Sequence, residues 1–218
     1  MSQEKINAAK KALEFVKDEL IIGLGSGTTI HEFIKLLGKQ VREQQLKIAA
    51  VPTSYDTQLL AMAQGIPLLQ PEQTPFIDIA IDGADLVAKD YLIKGGGGAL
   101  TREKIIAYEA KEFIVLADED KLKRKSYPVP IEVVPFSAFF VARHLAKEGL
   151  RPELRLAQRR LGPIITDNGN FILDTDLKIT NPKKLETELK LIPGVVETGI
   201  FTKFSKVIIG TKKGSRML

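Results

Sequence analysis

Apolar positions along this chain alternate between two periods from its start to about residue 118. Ile6, Ala9, Leu13 and Val16 recur on one face of a helix. Leu20 to Leu24 is a short unbroken apolar run, read as a buried strand, and Ile30, Phe33, Ile34 and Leu37 return to helical spacing. The pattern then predicts a strand over 46–54, a helix from Tyr55 to Gln64 that stops at Gly65, and a short strand at Ile66 to Gln70. Phe76 to Ile81 and Glu112 to Asp118 read as further buried strands, with the triplet Tyr91 to Ile93 and a helix from Thr101 to Ala110 between them. Strand and helix in such alternation predict a mostly parallel sheet covered on both faces.

The pattern then changes. Val129 to Pro135 reads as a strand, Phe136 to Lys147 as a helix, Arg151 to Gln158 as a strand, and Pro163 to Asp176 as a hairpin turning at Asn168-Gly169. Asn181 caps a helix that has Pro182 at its first position and runs to Leu191. Val195 to Phe201 and Lys206 to Thr211 close the chain as strands. The expected fold class is therefore α/β: a Rossmann-like, mostly parallel sheet flanked by helices, formed by residues 1–128 and 201–218. A second, smaller α+β domain, residues 129–200, is inserted near the C-terminus.

With 218 residues, the chain is long enough for that arrangement. Its 32 Lys and Arg against 27 Asp and Glu give a net charge of +5, and the basic residues are spread, apart from a short run at Lys121 to Lys125. There is no Trp, and few aromatics stand beside the basic residues, so no stacking platform for nucleic acid is expected. Binding of small anions accounts for the charge more simply. The absence of cysteine excludes disulfides, thiol catalysis and thiolate metal sites, and suits a reducing cytoplasm. No signal peptide and no apolar run of membrane-spanning length is present, so a cytoplasmic protein with no membrane partner is expected.

Two stretches carry candidate chemistry. In GLGSGTT (Gly23 to Thr29), a strand meets a helix through a glycine turn with three hydroxyls, Ser26, Thr28 and Thr29, at its mouth. Loop amides and hydroxyls converging on a helix N-terminus make a phosphate cradle. The spacing lacks the Lys of a Walker loop, and Glu32 stands where the dinucleotide fingerprint would have a third glycine. Many α/β turns contain such a GxG for steric reasons alone.

The second stretch, Asp82 to Lys104, holds Asp82, Asp85, Lys94, the glycines Gly95 to Gly98, and Glu103. Four glycines alone read equally as a flexible surface loop. Lys94 before them and a helix after them favour a loop that aims N–H donors at an anion. Glu103 falls in the first helical turn, where a carboxylate is favoured anyway, so taken alone it is a helix-start residue. DGAD alone is a turn motif. His31 and His144 lie in helical patterns away from this stretch.

Taken together and in order, GLGSGTT, DGAD (Asp82 to Asp85), KGGGGALTREK (Lys94 to Lys104) and TDNGN (Thr166 to Asn170) resemble type A ribose-5-phosphate isomerase over essentially the whole chain. The resemblance implies interconversion of D-ribose 5-phosphate and D-ribulose 5-phosphate through an enediolate, within the non-oxidative pentose phosphate pathway and without metal or organic cofactor. It implies that Glu103 shuttles the proton between C1 and C2 and that Lys94, with amides of Gly95, Gly96 and Gly97, steadies the intermediate. Asp82 and Asp85 would contact sugar hydroxyls, with Asp82 helping ring opening and Gly83 and Ala84 lining the substrate. Ser26, Gly27, Thr28, Thr29 and Lys121 match substrate-binding positions, although Asp120 stands before Lys121 where many members have serine. A homo-oligomer, dimer or tetramer, is also implied.

Three other readings fit the residues less well. An aminosugar-phosphate deaminase needs a catalytic histidine. A coenzyme A transferase fits the KGGGGALTRE context less well. A sugar-phosphate sensor that controls transcription would need a helix-turn-helix arm, whereas the first twenty residues hold one helix.

Overall fold

The computed structural model describes residues 2–159 and 161–218, so the expected start of the first domain at Met1 lies outside the described residues. The elements run α1 (Gln3–Leu13), β1 (Ile21–Leu24), α2 (Thr28–Gln44), β2 (Ala49–Pro52), α3 (Tyr55–Ala63), β3 (Ile77–Gly83), β4 (Leu86–Val87), β5 (Leu92–Ile93), α4 (Leu100–Glu109), β6 (Ala110–Asp118) and α5 (Glu119–Lys123). They continue with β7 (Val129–Val133), α6 (Ala138–Lys147), β8 (Arg151–Leu154), β9 (Phe171–Asp176), α7 (Pro182–Lys190), β10 (Val195–Thr198), β11 (Ile200–Phe201), β12 (Lys206–Thr211) and β13 (Gly214–Met217). The chain groups into two compact units, one of Met1–Ala84, Arg102–Lys123 and Lys203–Leu218, the other of Asp85–Thr101 and Arg124–Thr202. Residues 85–101, counted above with the first domain, group with the second unit, since β4 and β5 pair with each other and β5 with β11.

The first unit holds a six-stranded sheet in the order β13-β12-β6-β3-β1-β2, parallel at every step except the β12–β13 hairpin. From β1 the chain steps outward to β2, then returns past β1 to β3. This reversal makes a topological switch point between β1 and β3, and ligands of open α/β sheets bind beyond the carboxyl ends of the strands there. Ile22 and Leu24 of β1, Ile79 and Ile81 of β3 and Ile114 and Leu116 of β6 form the core with Ala8, Ala9 and Ala12 of α1 and Phe33, Ile34 and Leu37 of α2. Each large side chain buried in this way contributes roughly 1.5–3 kcal/mol. That core fixes where the strand ends lie.

In the second unit, a four-stranded antiparallel sheet of order β10-β7-β9-β8 lies beside a small antiparallel sheet, β11-β5-β4. Val141 and Leu145 of α6 and Leu189 of α7 pack with Val129, Ile131 and Val133 of β7 and Leu173 of β9. α7 begins as its sequence predicts, with the Asn181 side chain accepting the N–H of Lys184 and Pro182 in the first turn.

Two expected strands are not formed as read. Ile66 to Gln70 makes only a single bridge, Leu68 with Ala50, because Pro67 has no N–H to donate and Pro71 follows closely. The hairpin over Pro163 to Asp176 forms at its turn, where Gly169 has φ +79°, and in its second arm, β9. Its first arm is drawn away: Ile164 donates to the carbonyl of Arg155, while β9 pairs with β7 and β8.

Candidate active site

In the first unit the loops after β1 and β3 meet. Gly25 donates its N–H to the carbonyl of Ile81 at 2.9 Å, and Oδ1 of the buried Asp82 accepts the N–H of Ser26 at 3.0 Å and of Gly83 at 2.6 Å. A Cβ on Gly25 would lie 2.0 Å from the Asp82 carboxyl carbon, so only glycine allows this approach. The Ser26 hydroxyl is turned to those of Thr53 and Ser54, each at 2.9 Å, and the Thr57 hydroxyl donates to the carbonyl of Gly25 at 2.7 Å. This hydroxyl cluster fixes the loop from below.

The loop delivers the N-terminus of α2. Gly27 stands at the cap with φ +95°, no side chain caps the helix, and its first turn has no acidic residue. Gly27 and Thr28 are exposed, Thr29 is half-buried, and Lys5 of α1 donates to the Thr28 hydroxyl at 2.8 Å. Exposed N–H groups, the positive end of a 17-residue helix, two hydroxyls and an ammonium make a site for an anion.

Glu103 lies in the first turn of α4 and is 5% exposed. β3 and β6 are parallel, so α4, which leads directly into β6, begins at the carboxyl end of the sheet. Its Ile106 packs onto β1, where a Cβ on Gly23 would meet Ile106 Cγ2 at 2.3 Å. Glu103 stands one turn earlier on the same helix face, at the end of the sheet that also carries Asp82 and the cradle. Lys121 follows β6 at this end; its N–H is held by Asp118 Oδ1 at 3.1 Å, and it is half-buried, while Asp120 is exposed.

In the second unit, Lys94 directly follows β5. It is 2% exposed, its backbone N–H donates to Gly199 at 3.0 Å, and its ammonium lies 5.5 Å from the Phe201 ring centroid. Gly95 to Gly98 close a tight turn, with Gly98 N–H on the Gly95 carbonyl at 3.0 Å and φ of +95° at Gly95 and +86° at Gly98. Asp85 accepts the N–H of Gly96 at 2.7 Å, and its own N–H is held by Ile93 at 2.8 Å. A Cβ on Gly96 would strike that carboxylate and the Tyr127 hydroxyl, whereas one on Gly97 would meet nothing within 4 Å. Burial, with the Asp85 carboxylate adding to it, pushes the Tyr127 phenol above its usual range.

The TDNGN turn has a different task. The fully buried carboxylate of Glu132 on β7 accepts from the Thr166 hydroxyl at 2.8 Å, from Asn168 at 3.1 Å, from Asn170 at 2.9 Å and from the Thr101 hydroxyl at 2.5 Å. Glu132 thus fastens the segment immediately after the glycine turn. The first unit therefore brings together Ser26 to Thr29, Asp82, Gly83, Glu103 and Lys121 at its strand ends. The second brings together Asp85, Lys94 and the glycine run. Ala84 is the last residue of its segment of the first unit.

Sequence pattern missed Lys5, the Thr53–Ser54–Thr57 hydroxyls, Glu132, and Arg155, whose guanidinium reaches the glycine turn. Each reaches its partner through tertiary folding, and none belongs to a contiguous motif. His31 pairs with Asp56 at 2.6 Å on the surface, in keeping with a packing role. Among the described residues there is no group of three His, Cys, Asp or Glu side chains suited to a metal ion, and no helix long and apolar enough to cross a membrane.

The family model described as Ribose 5-phosphate isomerase A (phosphoriboisomerase A) matches residues 49–214. A relative named ribose-5-phosphate isomerase A from Methanococcus aeolicus is 48% identical over 98% of this chain and 94% of its own length. The solved structure of ribose 5-phosphate isomerase A from Methanocaldococcus jannaschii superposes with a TM-score of 0.95 at 47% identity, covering 98% of this chain and 97% of that one. A structure of a D-ribose-5-phosphate isomerase in complex with phospho-erythronic acid gives the same score, 0.95, at 46% identity over 99% of this chain and 97% of that one.

Proposed function

This chain belongs to the ribose 5-phosphate isomerase A family, an aldose–ketose isomerase family, and on that premise we propose how its residues divide the reaction. The reaction interconverts D-ribose 5-phosphate and D-ribulose 5-phosphate. Glu103 removes the proton from C2 of the open-chain aldose, and the C–H electron pair becomes the C1=C2 bond of an enediolate, with negative charge on the former carbonyl oxygen. Return of the same proton to C1, with passage of the O2 proton to O1, leaves the ketose. A positioned base contributes about 10²–10⁴-fold.

Lys94 and the amides of the glycine turn meet the developing charge, a task in which one preorganised donor is worth about 10²–10³-fold. Asp82 assists ring opening, and Asp85 meets a sugar hydroxyl. The α2 N-terminus, Thr28, Thr29 and Lys5 hold the phosphate, with Ser26 contributing its backbone and Lys121 adding charge. The observation that carries this assignment is Glu103 itself: an acidic side chain 5% exposed, at the strand ends that also present Asp82 and the anion cradle. Assay of Glu103→Gln for ribulose 5-phosphate formation, with chelator present and absent, tests it. Turnover within tenfold of the parent removes Glu103 from the mechanism.

The same proposal includes a cytoplasmic setting and association into a dimer or tetramer. A chain without cysteine is suited to the first. Phe136, Phe139 and Phe140, 87%, 71% and 52% exposed, with the Phe140 ring against each of the other two, supply an apolar patch suited to the second. Sedimentation of the parent against Phe136→Ser and Phe139→Ser tests that association.

A further inference from the structure

We infer that Arg155 is a positioning residue for the isomerisation, one that sets the peptide planes of the glycine turn so that Gly97 presents its N–H to the negatively charged intermediate. Its Nη1 donates to the carbonyl of Gly95 at 2.8 Å and to that of Gly96 at 3.1 Å. The rest of the guanidinium is clamped on Asp174 of β9, with Nε on Oδ2 at 2.7 Å and Nη2 on Oδ1. A fork held on two sides has one orientation. Its backbone is fixed as well, with the Arg155 N–H on Ile172 and the Arg155 carbonyl accepting from Ile164. The side chain is 15% exposed, so little water competes for these bonds.

The consequence follows from the planar trans peptide. No peptide bond among the described residues is cis, and in a trans peptide the C=O and N–H point in opposite directions. Holding the carbonyls of Gly95 and Gly96 toward Arg155 therefore turns the N–H groups of Gly96 and Gly97 away from it. Asp85 takes the first. The second belongs to an exposed residue with open space where a side chain would be. Gly95, Gly96 and Gly98 each have a conformational or packing reason to be glycine. Gly97 has none within the protein, as befits a backbone that must admit a ligand. Successive glycines rotate freely, and without an anchor this peptide would sample both faces.

The inference rests on the reading that Lys94 and the glycine turn stabilise the intermediate, so the test carries Lys94→Ala as a control. Steady-state kcat and KM for ribose 5-phosphate would be measured for Arg155→Lys, Arg155→Ala, Asp174→Asn and Lys94→Ala, each corrected for folded fraction by thermal unfolding. Lysine keeps the charge but loses the fork. Arg155→Lys is expected to lower kcat on the order of 10²-fold with KM within about threefold of the parent, the sign of a donor used only in the transition state. Arg155→Ala is expected to recover part of its kcat with guanidinium chloride below unfolding concentrations, and none with sodium chloride at equal ionic strength. A folded Arg155→Lys with parental kcat overturns the inference, as does a loss accounted for entirely by unfolded protein. If Lys94→Ala is inactive while Arg155→Lys is not, this inference alone fails. If Lys94→Ala keeps parental kcat, the reading beneath it fails too.

Discussion

Oδ1 of Asp82 accepts the backbone N–H of Ser26 at 3.0 Å, joining two loops 56 residues apart at the switch point of the sheet. The bond requires Gly25, since a methyl there would overlap the carboxylate. Gly25→Ala is expected to displace Asp82, cost about 1–3 kcal/mol of stability and lower kcat on the order of 10²-fold. Kinetics beside a denaturant titration check both. A variant with parental kcat would separate Asp82 from the chemistry.

Lys5 and Thr28 are bound at 2.8 Å beside a helix N-terminus with no acidic residue in its first turn. If they hold the phosphate equally in ground and transition states, Lys5→Gln raises KM about tenfold and leaves kcat within about twofold. The KM defect should shrink as salt screens the parent's advantage. A fall in kcat at unchanged KM would place Lys5 elsewhere in the mechanism.

Glu132 receives four hydrogen bonds at full burial, from both segments of the second unit. Removing such an acceptor leaves buried donors unmet, at about 1–3 kcal/mol each where water does not enter. Glu132→Ala is therefore expected to lower the unfolding free energy by at least about 3 kcal/mol, with Glu132→Gln recovering part of it. Calorimetric or denaturant unfolding decides this. An unchanged midpoint would mean that the TDNGN turn is held by something else.

The parallel sheet was legible because buried strands such as FIDIAI and EFIVLAD are apolar throughout, whereas the helices between them keep a 3.6-residue period. The candidate site was legible where it is contiguous: GLGSGTT, DGAD and KGGGG each place polar groups at a strand end. The grouping of residues 85–101 with the second unit was not legible, because Leu92 and Ile93 look like any buried strand and apolarity does not say which sheet a strand joins. Glu132 read as an ordinary strand residue, and Arg155 lies 60 positions from Gly95, so neither gave a local signal. The hairpin failed because pattern favoured its turn while Arg155 claimed its first arm.

Asp78 joins the N–H of Ile21 and the ammonium of Lys111, at 3.0 and 2.8 Å. Partial burial alone would raise its pKa; the Ile21 and Lys111 bonds outweigh that and hold it below the ordinary value of 3.8. A lowered folded-state pKa stabilises the fold above the unfolded value, and that contribution is lost as pH falls through the folded one. The stability gap between parent and Asp78→Asn should thus be constant above about pH 5 and close under more acid conditions. Thermal midpoints across that range check it, and a gap that persists at the lowest pH would contradict it.

In the proposed mechanism the carboxyl of Glu103 carries the proton between the two sugar carbons. Ribose 5-phosphate deuterated at C2 measures this directly, because the label must leave C2 through that group. The parent is predicted to move deuterium from C2 to C1 or to solvent at the rate of turnover. Glu103→Gln, with a parental thermal unfolding midpoint, is predicted to do so at least about 10²-fold more slowly. Label leaving C2 of the substrate at the parental rate in Glu103→Gln would remove Glu103 as the carrier of that proton.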